Sequence, residues 1–204
     1  MEVVAHAGWS SEMLPVRQWA AICLVFVFGL AIPPAVEAEE EAWLALSDGG
    51  IVLFRHALAP GTGDPRNFRI GDCETQRNLD AAGRDDARKI GNTFRDRGIR
   101  VDQVLTSEWC RCWETAELAF PGQWTREPAF NSFFQNRSAG PAQTAAARTI
   151  LEQWQGPGAL VVITHQVNIT ALTDIFPASG EGIVLRSGPD GLVLAGRLPV
   201  SAFR

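Results

Sequence analysis

Two histidines of this 204-residue chain each close an apolar run, His56 in IVLFRHA at 51–57 and His165 in LVVITHQ at 160–166. A buried parallel strand that ends in a polar residue puts that residue at the rim of an open α/β sheet, where such sheets bind ligands. Arg55 sets a fixed cation beside the first imidazole. A guanidinium fork matches phosphate geometry through paired, charge-assisted hydrogen bonds. The same cation opposes protonation of His56, which must be neutral to act as a nucleophile. Arg111 lies in a second constellation, TSEWCRCWETA at 106–116, again after a strand and at the start of a helix, where free N–H groups add partial positive charge. Each feature alone is common. Together, two imidazoles and two guanidiniums at strand ends point to chemistry on a phosphoryl-sized anion.

The elements that position these residues follow from local patterning. IVLFR at 51–55 reads as a buried strand, and a Gly/Pro-rich loop, APGTGDPRNF, follows it. Asp80 caps a helix over about 81–97, with Ala87, Ile90 and Phe94 on one face and Gly98 as its stop. VDQVLTS at 101–107 is a second strand, and a short helix runs from about 109 to 119. Residues 121–141 carry many aromatics without a clear period and read as an insertion. A helix over 142–155, a strand at 159–164 and a helix from about 167 come next. Segments 183–187 and 191–197, separated by GPDG, read as a closing hairpin. This alternation predicts an α/β three-layer sandwich, a mostly parallel sheet with helices on both faces and an antiparallel edge.

The N-terminus reads as a signal peptide over residues 1–38. WAAICLVFVFGLAI at 19–32 has the length of a secretory apolar region and is too short to span a bilayer, which takes roughly 20 residues. Val36 and Ala38 occupy the small-residue positions of an A-x-A-like site, so cleavage is expected after Ala38. A start at Met13 would give the short basic MLPVRQW, which makes the first twelve residues, His6 among them, a start-codon artefact. Cys23 lacks the preceding small residues of a lipoprotein site. The expected mature chain, 39–204, is one catalytic domain, periplasmic or secreted, with no stable membrane insertion. Losing three glutamates and one arginine moves its formal net charge from −5 to −3, which argues against nucleic acid as a partner. At 166 residues such a chain buries about 70% of its unfolded surface, enough to fold without a metal. Its cysteines are Cys73, Cys110 and Cys112, and an oxidising compartment favours a structural bridge from Cys73 to either Cys110 or Cys112. Cys110-Arg111-Cys112 is too tight for a C-x-x-C metal or redox motif.

Arg55-His56-Ala57 resembles the Arg-His-Gly signature of the histidine phosphatase superfamily, the clan of the phosphoglycerate mutases. NLDAAGRDDA at 78–87 is similar to that family's L-S/T-x-x-G-x-x-Q-A helix start, TSEWCRCWETA to its T-S-x-x-x-R-x-x-x-T-A segment, and ITHQ to its second-histidine strand. The matches run in the family's order from about 51 to 170. The resemblance implies a metal-independent phosphomonoesterase with no cofactor, acting on a small phosphorylated substrate. In that reading His56 is the nucleophile and forms a phosphohistidine, while Arg55, Arg111 and His165 cradle the phosphoryl group. Arg77, in CETQRNL, is either a contact to a distal anionic group or a surface residue.

Two departures stand out. Ala57 replaces the family's glycine. The mutases' proton-donating glutamate falls in a segment that here reads EPAFNSFFQ at 127–135, and Ser132 aligns with the donor. The phytase branch instead places an aspartate after the second histidine, where this chain has Gln166. The donor is then Glu127, or behind it Asp64, Asp72 or Asp174, unless the substrate is an anhydride, aryl phosphate or phosphoramidate whose leaving group needs none. The alternative of a different class is a phosphate- or sugar-phosphate-binding protein that kept the pocket and lost turnover. A mutase would need a second phosphate site. A metal site on the two histidines lacks their i, i+4 spacing, and the GxG of APGTGDP has no following Lys-Ser/Thr for a nucleotide loop.

Overall fold

Each central strand is apolar on both faces, and that pattern builds a sheet covered on both sides. The structure is a computed structural model that describes residues 1–2 and 34–204. The apolar stretch 19–32, the alternative start at Met13, His6 and Cys23 lie outside the described residues. The order is α1 (Pro34–Ser47), β1 (Ile51–Arg55), α2 (Ala81–Asp96), β2 (Val101–Thr106), α3 (Cys110–Ala119), β3 (Trp124–Arg126), α4 (Gly140–Glu152), β4 (Ala159–Thr164), α5 (Gln166–Thr173), β5 (Gly182–Gly188) and β6 (Gly191–Leu198). The six strands form one sheet in the order β3-β2-β4-β1-β5-β6. Pairs among β1 to β4 are parallel, and β5 pairs antiparallel with β1 and β6. This is the mixed α/β sandwich that the element pattern predicts.

Alternation along each strand splits the core into two layers. Val52, Phe54, Val104, Val161 and Ile163 face α1, α2 and α3, where Trp43, Phe94 and Ala116 pack against them. Ile51, Leu53, Leu105, Leu160 and Val162 face α4 and α5, through Leu151 and Ile169. Each fully buried leucine or phenylalanine contributes about 2–3 kcal/mol. In α2, Asp80 accepts from the Gly83 N–H at 2.7 Å, and Gly98 ends the helix with φ +66°. A Cβ on Gly83 would stand 2.1 Å from the Leu58 carbonyl oxygen, so this glycine lets α2 sit against the loop that follows β1.

Two elements go beyond the sequence-based expectations. β3 is a three-residue edge strand inside the segment expected to be an irregular insertion. α1 starts with Pro34 in its first turn, a position proline favours. The expected cleavage point after Ala38 lies within α1, and the residues beyond it carry Ala42, Trp43 and Leu46 of the core as well as Glu40, which pairs with Arg97 at 2.9 Å. Among the described residues no helix is long and apolar enough to cross a membrane.

Candidate active site

The carboxyl ends of β1, β2 and β4 stop in register, and that register gathers the polar residues. Arg55 stands opposite Thr164, and Thr106 opposite Ile163. The next residue of each strand is then His56, Ser107 or His165. The His56 N–H donates to the Thr164 carbonyl at 3.0 Å, and the Ser107 N–H to that of Ile163 at 3.0 Å, so the backbone ladder itself sets the spacing of the side chains. The two imidazole centroids lie 5.6 Å apart. A cavity of about 100 Å³ opens over them, lined by both histidines with Arg55, Arg77, Arg111 and Asp64, and rimmed by Ser132, Phe134 and Gln135.

His56 is only 2% exposed, His165 3% and Arg111 3%. Nδ1 of His56 lies 2.8 Å from the Ala57 carbonyl oxygen, which can only accept, so Nδ1 carries the proton and Nε2 keeps its lone pair. Nε of Arg111 donates to that Nε2 at 3.2 Å. Burial first, and the Arg111 charge second, hold both imidazoles well below the usual histidine pKa, so both are neutral. His165 directs Nε2 to Ser107 Oγ at 2.8 Å, and Ser107 hands its hydroxyl proton on to Asn131 Oδ1 at 3.2 Å. Nδ1 of His165 receives Arg111 Nη2 at 3.5 Å. Ser107 and Asn131 are thus orienting partners for His165. Only their places beside TSE and FNS in the sequence hinted at this.

Arg111 comes from the first turn of α3, whose first amide is not offered to the cavity. The Cys110 N–H donates to Gln76 Oε1 at 2.9 Å, and the guanidinium alone reaches in. Thr115 Oγ1 donates to the Arg111 carbonyl at 2.6 Å and accepts from the Ala57 N–H at 3.2 Å, tying the loop after His56 to α3. Ala57 is fully buried with Ala59, Leu79 and Ala87, so its methyl group fills a small apolar contact. Arg55 donates through Nη1 to the Pro177 carbonyl at 3.1 Å, and its Nε is buried without a partner. Arg77 is at the cavity wall, donating through Nε to Gly63 at 2.9 Å and through Nη1 to Ala59. Burial and the neighbouring Arg111 push its pKa down to about 10.

The carboxylates separate cleanly. Glu127 accepts from its own turn, the Ala129 N–H at 3.0 Å, and does not line the cavity. Asp72 pairs with Arg69 at 2.6 Å on the surface, and Asp174 ends α5 with φ +59°. Asp64 alone of the four donor candidates lines the cavity, where it takes Arg111 in a two-pronged pair at 2.7 and 3.2 Å. Burial by itself would raise its pKa. Arg111, the Trp109 indole N–H at 3.0 Å and the Arg77 amide outweigh burial and hold the carboxyl below its usual range. Cys73 is bonded to Cys110, which leaves Cys112 as a free, buried thiol 3.4 Å from His165 Nε2. Burial pushes the Cys112 pKa up to about 12, so it is an inert packing group at neutral pH.

Among the described residues no group of three His, Cys, Asp or Glu side chains is placed to hold a metal ion. No curated protein sequence matches this chain. Its fold is similar to that of solved phosphatases. A putative alpha-ribazole-5'-P phosphatase from Escherichia coli K-12 superposes with a TM-score of 0.55 at 14% identity, over 72% of this chain and 94% of that one. The protein histidine phosphatase SixA, complexed with tungstate, gives 0.54 at 15% identity, over 74% and 97%. A mycobacterial glucosyl-3-phosphoglycerate phosphatase gives 0.53 at 13% identity, over 72% and 96%. Residues 51–159 match the family model of the histidine phosphatase superfamily, branch 1, so this chain belongs to the histidine phosphatase superfamily.

Proposed function

We propose that the protein is a metal-independent phosphomonoesterase that works through a phosphohistidine on His56. One observation carries the reading: Nε2 of His56 has a lone pair, fixed by the Nδ1 contact to the Ala57 carbonyl, beside a cavity walled by three arginines and a second neutral imidazole. Phosphoryl transfer passes through a loose transition state with charge on the equatorial oxygens, so an in-line nucleophile and fixed cations supply most of the catalysis. Arg111 can neutralise that charge beside the nucleophile, Arg55 has an unpaired buried Nε to offer, and His165, oriented by Ser107, can donate through Nδ1 once it takes up a proton from solvent in the field of the bound anion. That SixA is recorded with tungstate, a tetrahedral oxyanion, fits the same use of the fold. The cavity of about 100 Å³ has room for a phosphoryl group beside His56.

A panel of phosphoesters, run with and without chelator, tests the reading, and a denaturing alkaline quench maps the labelled residue. Turnover that survives chelation, with phosphate on His56, is expected. Phosphate binding without any phosphoenzyme would favour the alternative, a phosphate- or sugar-phosphate-binding protein. We also propose export, with the leader removed after Ala38. The apolar run at 19–32 and the Cys73–Cys110 disulfide support it, because such bonds persist in oxidising compartments. N-terminal sequencing of the secreted protein tests this.

A further inference from the structure

The phosphohistidine reading leaves the leaving group without an acid. Neither family position for one is carboxylic here, since Ser132 and Gln166 stand there, and Glu127 is turned away. Asp64 is the one carboxylate on the cavity wall. Its partner is the guanidinium that also touches the nucleophile: Arg111 gives Nε to His56 and both Nη nitrogens to Asp64. A phosphoryl group lying in line with His56 Nε2 needs those same Nη donors. Substrate and Asp64 therefore compete for one fork.

The loop that carries Asp64 suits that exchange. Gly61 and Gly63 precede it with φ of +92° and +70°, a Cβ on Gly63 would meet nothing closer than 3.9 Å, and Pro60, Gly61 and Thr62 are exposed. The loop is tied by hydrogen bonds, from Arg77 to Gly63 and Ala59, from Gln135 to the Asp64 carbonyl and from Trp109 to the carboxylate, so the carboxylate can step off Arg111 by exchanging polar partners without unpacking the core.

We propose that Asp64 is the general acid of this site, held on Arg111 while the cavity is empty and freed to serve the leaving oxygen when a phosphoryl group takes the fork. Freed from its cation and set beside a phosphate dianion, the carboxylate takes up a proton from solvent. His56 Nε2 then attacks phosphorus, the bond to the leaving oxygen breaks, and that oxygen receives the Asp64 proton. In the second step Asp64, again a carboxylate, takes a proton from water as the water oxygen attacks phosphorus. The N–P bond breaks, inorganic phosphate leaves and His56 is neutral again. The charged or titratable groups that face Asp64 across the cavity are Arg111, Arg77, Arg55, His56 and His165.

The test is a series of phosphate monoesters from alkyl to nitroaryl leaving groups, with kcat/KM measured for the wild type, Asp64→Asn and Asp64→Glu. The wild type is expected to vary little with leaving-group pKa. Asp64→Asn should lose roughly 10²–10⁴-fold on glycerol 2-phosphate and less than about 10-fold on 4-nitrophenyl phosphate. Asp64→Glu should restore much of the shallow dependence. A wild-type slope already as steep as that of a reaction without acid assistance overturns the assignment and needs no variant. So does an Asp64→Asn slope parallel to the wild type, which would mark a purely structural role. Failure of the phosphatase reading itself looks different, because the wild type would then hydrolyse no ester and label no histidine.

Discussion

Two hollows lie at opposite ends of the sheet, and the larger is the less reactive by its chemistry. At the amino ends of β1 and β4 a hollow of about 660 Å³ is lined by Glu41, Asp48, Glu152, Trp154 and Arg186. At the carboxyl ends the cavity measures about 100 Å³. The large hollow has more acidic than basic groups and no imidazole. In the small one, three guanidiniums and two neutral histidines meet; Arg111 and both histidines are buried, and Arg55 and Arg77 are half-buried. Volume does not make a site. An excess of cations beside neutral imidazoles does, because fixed charge keeps a strong field only where water is excluded.

The comparison breaks most directly at His56. Replacing it with alanine should lower kcat by roughly 10⁴-fold or more and remove the phosphoenzyme, as loss of a nucleophile does. Turnover above one per cent of wild type would move the chemistry elsewhere. Next is Arg111→Lys, which keeps a charge but loses the fork that joins His56 to Asp64. A fall of about 10²-fold in kcat/KM is expected, read in steady state on 4-nitrophenyl phosphate.

A thermodynamic contrast follows. His56 and His165 are held neutral by burial, whereas in the unfolded chain they titrate near 6.5. Below that pH the unfolded chain binds more protons, so stability is full above about 6.5 and falls as pH drops, by up to about 1.4 kcal/mol per pH unit for each histidine. Denaturant midpoints between pH 7.5 and 5 measure the decline, and His56→Asn should flatten it. If that variant shows the same pH dependence as wild type, His56 is not buried as a neutral ring. The smallest effect is expected at the opposite end, where Glu152→Gln should change kcat/KM by less than about twofold. A large loss there would give the acidic hollow a part in the reaction.

Much of this was legible beforehand where the determinants are local. The strands at 51–55 and 159–164 are apolar runs closed by the residues that matter, and Asp80 caps α2 through a side chain three positions away. Arg55, His56, Arg111 and His165 stood out because each ends a strand or lies just beyond one. α1 escaped notice because PPAVEA reads equally well as the end of a leader, and a three-residue edge strand such as β3 leaves too little pattern to register. The choice of Cys110 over Cys112 as the partner of Cys73 turned on which face of α3 meets the 73–75 turn.

The amino-acid order alone determined the α/β alternation, the two histidines at strand ends and the cation content of the site, since each depends on residues within a few positions of one another. The tertiary structure decided which carboxylate joins them. Asp64 and Arg111 are 47 positions apart, and Glu127, nearer in sequence to the family's donor segment, is spent on its own turn. Such choices depend on which loops the strand register brings to one end of the sheet, and no local pattern encodes that distance.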